Sequence, residues 1–166
     1  MTVSANTAIS SPSGARIVIV DDDPGVRELL TEFLVENGFG AEAVANGAAL
    51  RDRLERRECD LIVLDIMMPG EDGLSILRSL MHDADGPGII MLSAISSEID
   101  RIVALEMGAD DYVLKPSSPR EIMARIRSVL RRRAATAARG GTISVGHTAP
   151  APTDCFAFAG WTFDSR

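Results

Sequence analysis

Six polar residues stand at the ends of apolar runs. Asp21, Asp22 and Asp23 follow Ile17-Val18-Ile19-Val20, and Asp65 follows Leu61-Ile62-Val63-Leu64. Ser93 follows Ile89-Ile90-Met91-Leu92, and Lys115, then Pro116, follows Tyr112-Val113-Leu114. Carboxylates gathered in one crevice repel one another and raise one another's pKa. A hard divalent cation resolves that conflict, and Mg2+ favours one or two carboxylates, water and phosphate oxygens. With one lysine and one hydroxyl added, such a crevice can hold a tetrahedral dianion. A carboxylate facing Mg2+ and an ammonium can attack phosphorus, because both cations offset the charge on the transferring group. Each residue alone has a plainer reading. Asp23 is a helix cap, Asp65 a turn-starting Asp, Ser93 a cap for the next helix, and Lys115 a solvated strand-end lysine. What sets them apart is their shared placement at the same ends of successive runs.

The runs that position them are apolar throughout rather than alternating, which fits strands buried on both faces of a parallel sheet. A weaker run covers Ala41–Ala45. Amphipathic segments lie between. Pro24–Asn37 carries Val26, Leu29, Leu30, Phe33 and Leu34 on one stripe, with Asp23 as cap, Pro24 at the first helical position and Gly38 as stop. Further helices are predicted over 47–57, 73–81, 96–107 and 118–135, with Gly108 ending the fourth. The order βαβαβαβαβα implies an open parallel sheet with helices on both faces. Its active crevice lies at the carboxyl ends of the strands, near the point where strand order reverses.

Composition limits the rest. A chain of 166 residues and 17.7 kDa is one domain, or one domain with a fragment of a second. It is 46% hydrophobic and 25% charged, an ordinary globular balance that excludes a disordered or fibrous chain. No apolar stretch is long enough for a membrane span, and residues 1–14 read as a mobile tail rather than a secretory signal. Two distant cysteines, Cys59 and Cys155, suit a reduced, intracellular chain. The net charge of −7 is uneven: residues 1–116 carry −12 and residues 117–166 carry +5. The first part is therefore unsuited to holding nucleic acid. Residues 135–154, rich in Ala, Gly, Thr and Pro, read as a linker. Residues 155–166 read as a single edge strand, too little for a domain, that stays disordered or packs on a neighbour.

The segments IVIVDDDPGVRELL, LIVLDIMMPGEDGLSILR, IIMLSA and GADDYVLKPSSPREIMARIRSVLRR resemble the receiver domain of bacterial two-component response regulators of the OmpR/PhoB subfamily. The resemblance covers residues 15–134. FAFAGWTFD resembles the opening strand of that subfamily's winged-helix DNA-binding domain. The implied fold class is α/β, a CheY-like (flavodoxin-like) doubly wound five-stranded parallel sheet, (βα)5. Asp65 is then the phosphoacceptor, taking its phosphoryl group from a sensor histidine kinase. Asp22 is a direct Mg2+ ligand and Asp21 a ligand through water, joined by Asp65 and the Met67 main-chain carbonyl. Lys115 pairs with the phosphoryl group, Ser93 hydrogen-bonds it, and Tyr112 is the switch aromatic that turns inward behind Ser93. The Lys115–Pro116 bond is cis. Ser117 departs from the family, which places a Phe there.

The resemblance also implies a homodimer on activation, through the fourth helix, fifth strand and fifth helix. Arg101 with Glu121, Asp111 with Arg125, and Asp110 with Arg132 are its pairs. The bland reading is solvated surface charge. Arg131-Arg132-Arg133 reads as a helix C-terminus complementing its dipole, and Met67-Met68 as loop and core filling. His82 and His147 receive no role. The function expected is a cytoplasmic, phosphorylation-activated switch that catalyses only its own phosphoryl transfer and dephosphorylation. It would meet DNA only through a further C-terminal domain, and no membrane. One alternative is a stand-alone receiver that works by protein docking. Another is a Mg2+-dependent aspartyl phosphohydrolase, whose Asp-x-Asp motif belongs after the first strand. A nucleotide-binding module is rejected, because acids stand where a glycine-rich loop would be needed.

Overall fold

A computed structural model describes residues 14–56, 58–81, 86–95, 97–140, 155–158 and 161–164. Five strands form one parallel sheet: β1 (Arg16–Val20), β2 (Gly40–Val44), β3 (Leu61–Asp65), β4 (Gly88–Ser93) and β5 (Asp111–Leu114), in the order β2-β1-β3-β4-β5. Five helices alternate with them: α1 (Pro24–Glu36), α2 (Gly47–Arg56), α3 (Gly73–Leu80), α4 (Glu98–Glu106) and α5 (Pro119–Gly140). The CheY-like order implied by the resemblance is therefore the observed one.

The strands are continuous apolar runs because both faces of the sheet are covered. Side chains alternate between faces along a strand. Ile17 and Ile19 of β1, Val63 of β3 and Val113 of β5 pack in one core with Leu30 and Leu34 of α1 and Ile126 and Val129 of α5. Val18, Val20, Ile62 and Met91 pack in the other with Leu50 of α2, Ile76 and Leu77 of α3, and Ala104 of α4. β2 lies on one side of β1 and β3 on the other, so the chain reverses its direction of growth between them. That switch opens a crevice above the carboxyl ends of β1 and β3.

The helix starts are set by side-chain caps. Asp23 accepts from the Gly25 amide (2.8 Å), with Pro24 following. Asp72 accepts from the Ser75 amide (2.8 Å) to start α3. The fourth helix begins at Glu98, later than the predicted residue 96, because Ser97 is its cap and accepts from the Asp100 amide (3.1 Å). Gly38 and Gly108 lie at φ +87° and +105°, the left-handed conformation that ends α1 and α4.

Two expectations change at the C-terminal side. α5 runs to Gly140 rather than to 135, so residues 135–140 of the stretch read as linker are helical. The segment Ala134-Ala135-Thr136-Ala137-Ala138 explains it, since alanine has the highest helix propensity. Arg131–Arg133 consequently stand inside the helix and not at its C-terminus. The single edge strand is instead two antiparallel strands, β6 (Cys155–Phe158) and β7 (Trp161–Asp164), with Phe158 opposite Trp161. The two strands supply each other with the backbone partners that a lone strand lacks. The tail reading of residues 1–13, the linker reading of 141–154, and His82 and His147 lie outside the described residues.

Candidate functional site

The sheet brings the strand-end residues together. Asp21 and Asp22 follow β1, Asp65 is the last residue of β3, Ser93 the last of β4, and Lys115 follows β5. β1 and β3 are neighbours, so Asp21 and Asp65 face each other across the switch. Asp21 is fully buried and Asp65 is 3% exposed, whereas Asp22 is exposed. Carboxylate oxygens of the three lie within 4.8 Å of one another.

Lys115 reaches over from β5 and serves two of them. Its Nζ is 2.6 Å from Asp21 Oδ2 and 3.1 Å from Asp65 Oδ2. The Asp21 Oδ1 oxygen accepts from the Asp23 amide (3.0 Å), so both oxygens of this buried carboxylate are engaged. Asp65 Oδ1 accepts from the Met67 amide at 3.3 Å. Burial pushes the Asp65 carboxyl up, against the hydrogen bond and charge of Lys115, and the Asp21 charge adds to the rise. Burial alone would pull Lys115 down. Its hydrogen bonds to Asp21 and Asp65, and their charges, outweigh that and leave it raised, so the ammonium persists.

Three carboxylates facing one ammonium leave an excess of negative charge at the crevice. The donor set is all oxygen, hard and anionic, and its spread is one that a small cation with some water can bridge. The residues present therefore fit Mg2+ chemically, with Asp22 open to solvent and Asp21 occupied by Lys115 and a backbone amide.

Ser93 is 1% exposed, and its hydroxyl donates to the Ile95 carbonyl (3.1 Å) while accepting from the Ile95 amide (3.1 Å). Tyr112 is 7% exposed, already inside, and its hydroxyl donates to the same Ile95 carbonyl at 3.4 Å. The Lys115–Pro116 peptide is cis, and the Ser117 hydroxyl donates to the Leu114 carbonyl. Met68 is buried in the core while Met67 is exposed.

All but one of the charged residues expected to pair across a dimer find partners within the chain. Arg125 pairs with Asp111 (3.1 Å) and with Glu121 (3.0 Å). Arg132 donates to the Asp110 carbonyl (2.9 Å), and Arg133 approaches the Asp110 carboxylate (3.4 Å). Arg101 is exposed on α4, and among the described residues no ion pair joins it to Glu121. Ile95, Ile99, Ile102 and Leu114 lie exposed on or beside α4 and β5.

Two supporting features were not read from the sequence. A Cβ on Gly73 would meet the Asp65 carbonyl and come within 2.8 Å of Ile66 Cα, so only glycine lets α3 start this close to the end of β3. The Pro-Gly-x-Asp-Gly run was the available signal. Arg51 of α2 pairs with Glu71, which ties α2 to the loop after Asp65, and nothing in the local sequence marks that pairing.

With this geometry in view, the comparisons with known proteins agree with it. A family model described as the response regulator receiver domain matches residues 17–127. The transcriptional regulatory protein GltR of Pseudomonas aeruginosa is 44% identical over 158 residues, 93% of this chain and 60% of that protein. Protein PetR of Rhodobacter capsulatus is 48% identical over 122 residues, 74% of this chain and 51% of that protein. The chain thus spans between 51% and 60% of these two relatives. The crystal structure of the BeF3-activated N-terminal receiver domain of Klebsiella pneumoniae RstA is similar, with a TM-score of 0.65 and 37% identity. The match covers 70% of this chain and 98% of that one.

Proposed function

The chain belongs to the response regulator receiver domain family, with OmpR/PhoB-type relatives, and from that premise we propose that it is a phosphorylation-controlled switch whose phosphoacceptor is Asp65. The observation that carries this reading is the Lys115 ammonium held between two buried carboxylates, 2.6 Å from Asp21 and 3.1 Å from Asp65. Asp65 is then a nucleophile with a cation already beside it, at the carboxyl end of a central strand.

An oxygen of the Asp65 carboxylate attacks the phosphorus of a phosphohistidine on a sensor histidine kinase. The P–O bond forms as the P–N bond breaks, and the electron pair stays on the departing nitrogen; with the other ring nitrogen of the phosphohistidine already protonated, the ring leaves as neutral imidazole. Asp22, Asp65 and the Met67 carbonyl would hold Mg2+, with the Asp21 carboxylate supporting it from behind. When bound, Mg2+ offsets charge on the phosphoryl oxygens. Lys115 supplies the second positive charge, moving from its bridge onto a phosphoryl oxygen. Ser93 exchanges its Ile95 carbonyl for another phosphoryl oxygen. Tyr112, bonded to that same carbonyl, carries the change to β5 and α4.

In this reading the protein is no enzyme toward other substrates and catalyses only its own phosphorylation and dephosphorylation. The apolar Ile99, Ile102 and Leu114 surface, with Asp111 and Arg125 at its border, supports a homodimer on activation through α4, β5 and α5. The printed names of the relatives support transcriptional control, exerted through a C-terminal DNA-binding domain. Among the described residues no helix is long and apolar enough to cross a membrane, and a kinase phosphodonor with a free Cys59 supports a cytoplasmic site of action.

The test is uptake of a phosphoryl group from a small acyl phosphate, read by intact mass with Mg2+ or with chelator. One phosphoryl group is expected, only with Mg2+, and none on Asp65→Asn. Uptake by Asp65→Asn would assign the acceptor elsewhere. Steady turnover of phosphate monoesters would favour the phosphohydrolase. Light scattering with beryllofluoride should show a dimer, and a monomer at tens of micromolar would favour the docking-only receiver.

A further inference from the structure

Asp22 is the exposed acid of the trio, and among the described residues no hydrogen bond or ion pair fixes its carboxylate. Its direction therefore depends on the main chain that carries it. That main chain is held by a residue of α1. Arg27 Nη1 donates to the carbonyl of Asp21 (2.7 Å) and to the carbonyl of Asp22 (2.9 Å). One guanidinium nitrogen thus holds the two successive peptide groups that flank Asp22. The Asp23 amide, donating to Asp21 Oδ1 at 3.0 Å, closes the turn from the other side. Arg27 faces carbonyls rather than carboxylates here, and a charged donor on a carbonyl makes a stronger bond than a neutral one.

We propose that Arg27 is a positioning residue for the divalent-cation site: it fixes the peptides on either side of Asp22 and so aims that carboxylate into the crevice. Arg27 bears a positive charge near the site, and charge alone would repel a cation. Removing it should therefore tighten cation binding if charge is its role, and weaken binding if the tether is. The two roles differ in sign. The inference rests on reading Asp21, Asp22 and Asp65 as a cation site.

The experiment compares the full chain with Arg27→Gln and Arg27→Lys. Mg2+ affinity is measured by titration calorimetry, and amide hydrogen exchange is measured without metal. For Arg27→Gln we expect affinity to fall on the order of tenfold, the loss of about one weak charge-assisted bond. The Asp23 amide should exchange faster, while the Leu30 and Leu34 amides of α1 keep their protection. Failure of the unaltered chain to bind Mg2+ would overturn the cation-site reading itself. If the unaltered chain binds, a change below threefold or tighter binding by Arg27→Gln overturns the tether. Loss of protection along all of α1 overturns it too, since the residue would then act by holding the helix. Arg27→Lys keeps the charge on a shorter stem. It should bind Mg2+ no better than Arg27→Gln; if it restores affinity without restoring the Asp23 amide, the hold on the two carbonyls is not what sets affinity, and the proposal falls.

Discussion

Replacing Asp65 by Asn should stabilise the metal-free protein at neutral pH. Asp65 is 3% exposed and lies within 4.8 Å of another carboxylate. At an effective dielectric constant of 20, repulsion at that distance is at least about 3.5 kcal/mol. Attraction to Lys115 at 3.1 Å is about 5 kcal/mol on the same scale. Coulomb terms alone would then favour the carboxylate by roughly 2 kcal/mol, but removing it from water costs several kcal/mol. The upward push on the Asp65 pKa, with burial as its chief cause, says that the second term wins. The amide of Asn can accept from only one of its two donors, Lys115 or the Met67 amide, which returns about 1 kcal/mol. The net expectation is a gain of about 1 kcal/mol, roughly 3 °C in Tm.

The sign also fixes the pH dependence. Asp65 binds its proton more tightly when folded, so its ionisation opposes folding. That opposition is complete above the folded pKa, shrinks as pH falls through it, and is gone below the unfolded value of about 4. Urea unfolding in chelator, followed by circular dichroism, should find Asp65→Asn more stable at pH 7, with the difference shrinking toward pH 4. Mg2+ at about ten times its Kd should stabilise the parent by about 1.4 kcal/mol and the variant by less. A variant less stable than its parent at pH 7 without metal would refute the reasoning, because Lys115 would then outweigh burial.

Gly73→Ala should destabilise the fold by about 2 kcal/mol, measured by urea unfolding, and slow phosphorylation, because the new methyl drives against the end of β3. The Cys59 thiol, pushed up to about 11 chiefly by burial, should be roughly a thousandth ionised at pH 8. In a Cys155→Ser background, Cys59 should therefore react with iodoacetamide far more slowly in the native protein than in urea. Arg125→Glu replaces two ion pairs with like charges near Asp111 and Glu121, and should lower stability by about 1 kcal/mol. Phosphoryl uptake should survive that change while beryllofluoride-induced dimerisation weakens, as light scattering would show.

The sheet was legible because each strand is an unbroken apolar run. Ile17–Val20, Leu61–Leu64 and Ile89–Leu92 are buried on both faces, and that burial is the reason for the pattern. The acids and Lys115 were legible because the residues at or just after a strand's carboxyl end line the crevice. What escaped was set by contacts between segments. Arg27 reaches back to Asp21 from a helix turn later, and helix periodicity reads it only as a polar position. Arg132 and Arg133 meet Asp110 within the chain, whereas the sequence reading set Arg132 against Asp110 across a dimer, because a list of charges does not say which chain a partner belongs to. Residues 155–164 read as one strand because alternation of aromatic and small residues persists through both arms of a hairpin. The sequence pattern is blind to the reversal between them.

The length of α5 has a mechanical consequence. Residues 134–138 of this 22-residue helix are all exposed, so among the described residues nothing covers its outer turns. An α-helix advances about 1.5 Å and turns about 100° per residue. The bearing of Gly140, the last residue of the helix, is therefore set by the count of residues in the projection. Inserting one alanine there lengthens the arm little but swings that bearing by about 100°, whereas inserting seven nearly restores it while adding about 10 Å. Whatever the receiver signals along α5 should thus depend on helical phase more than on distance, and the alanine count between Arg133 and Arg139 acts as an angular setting.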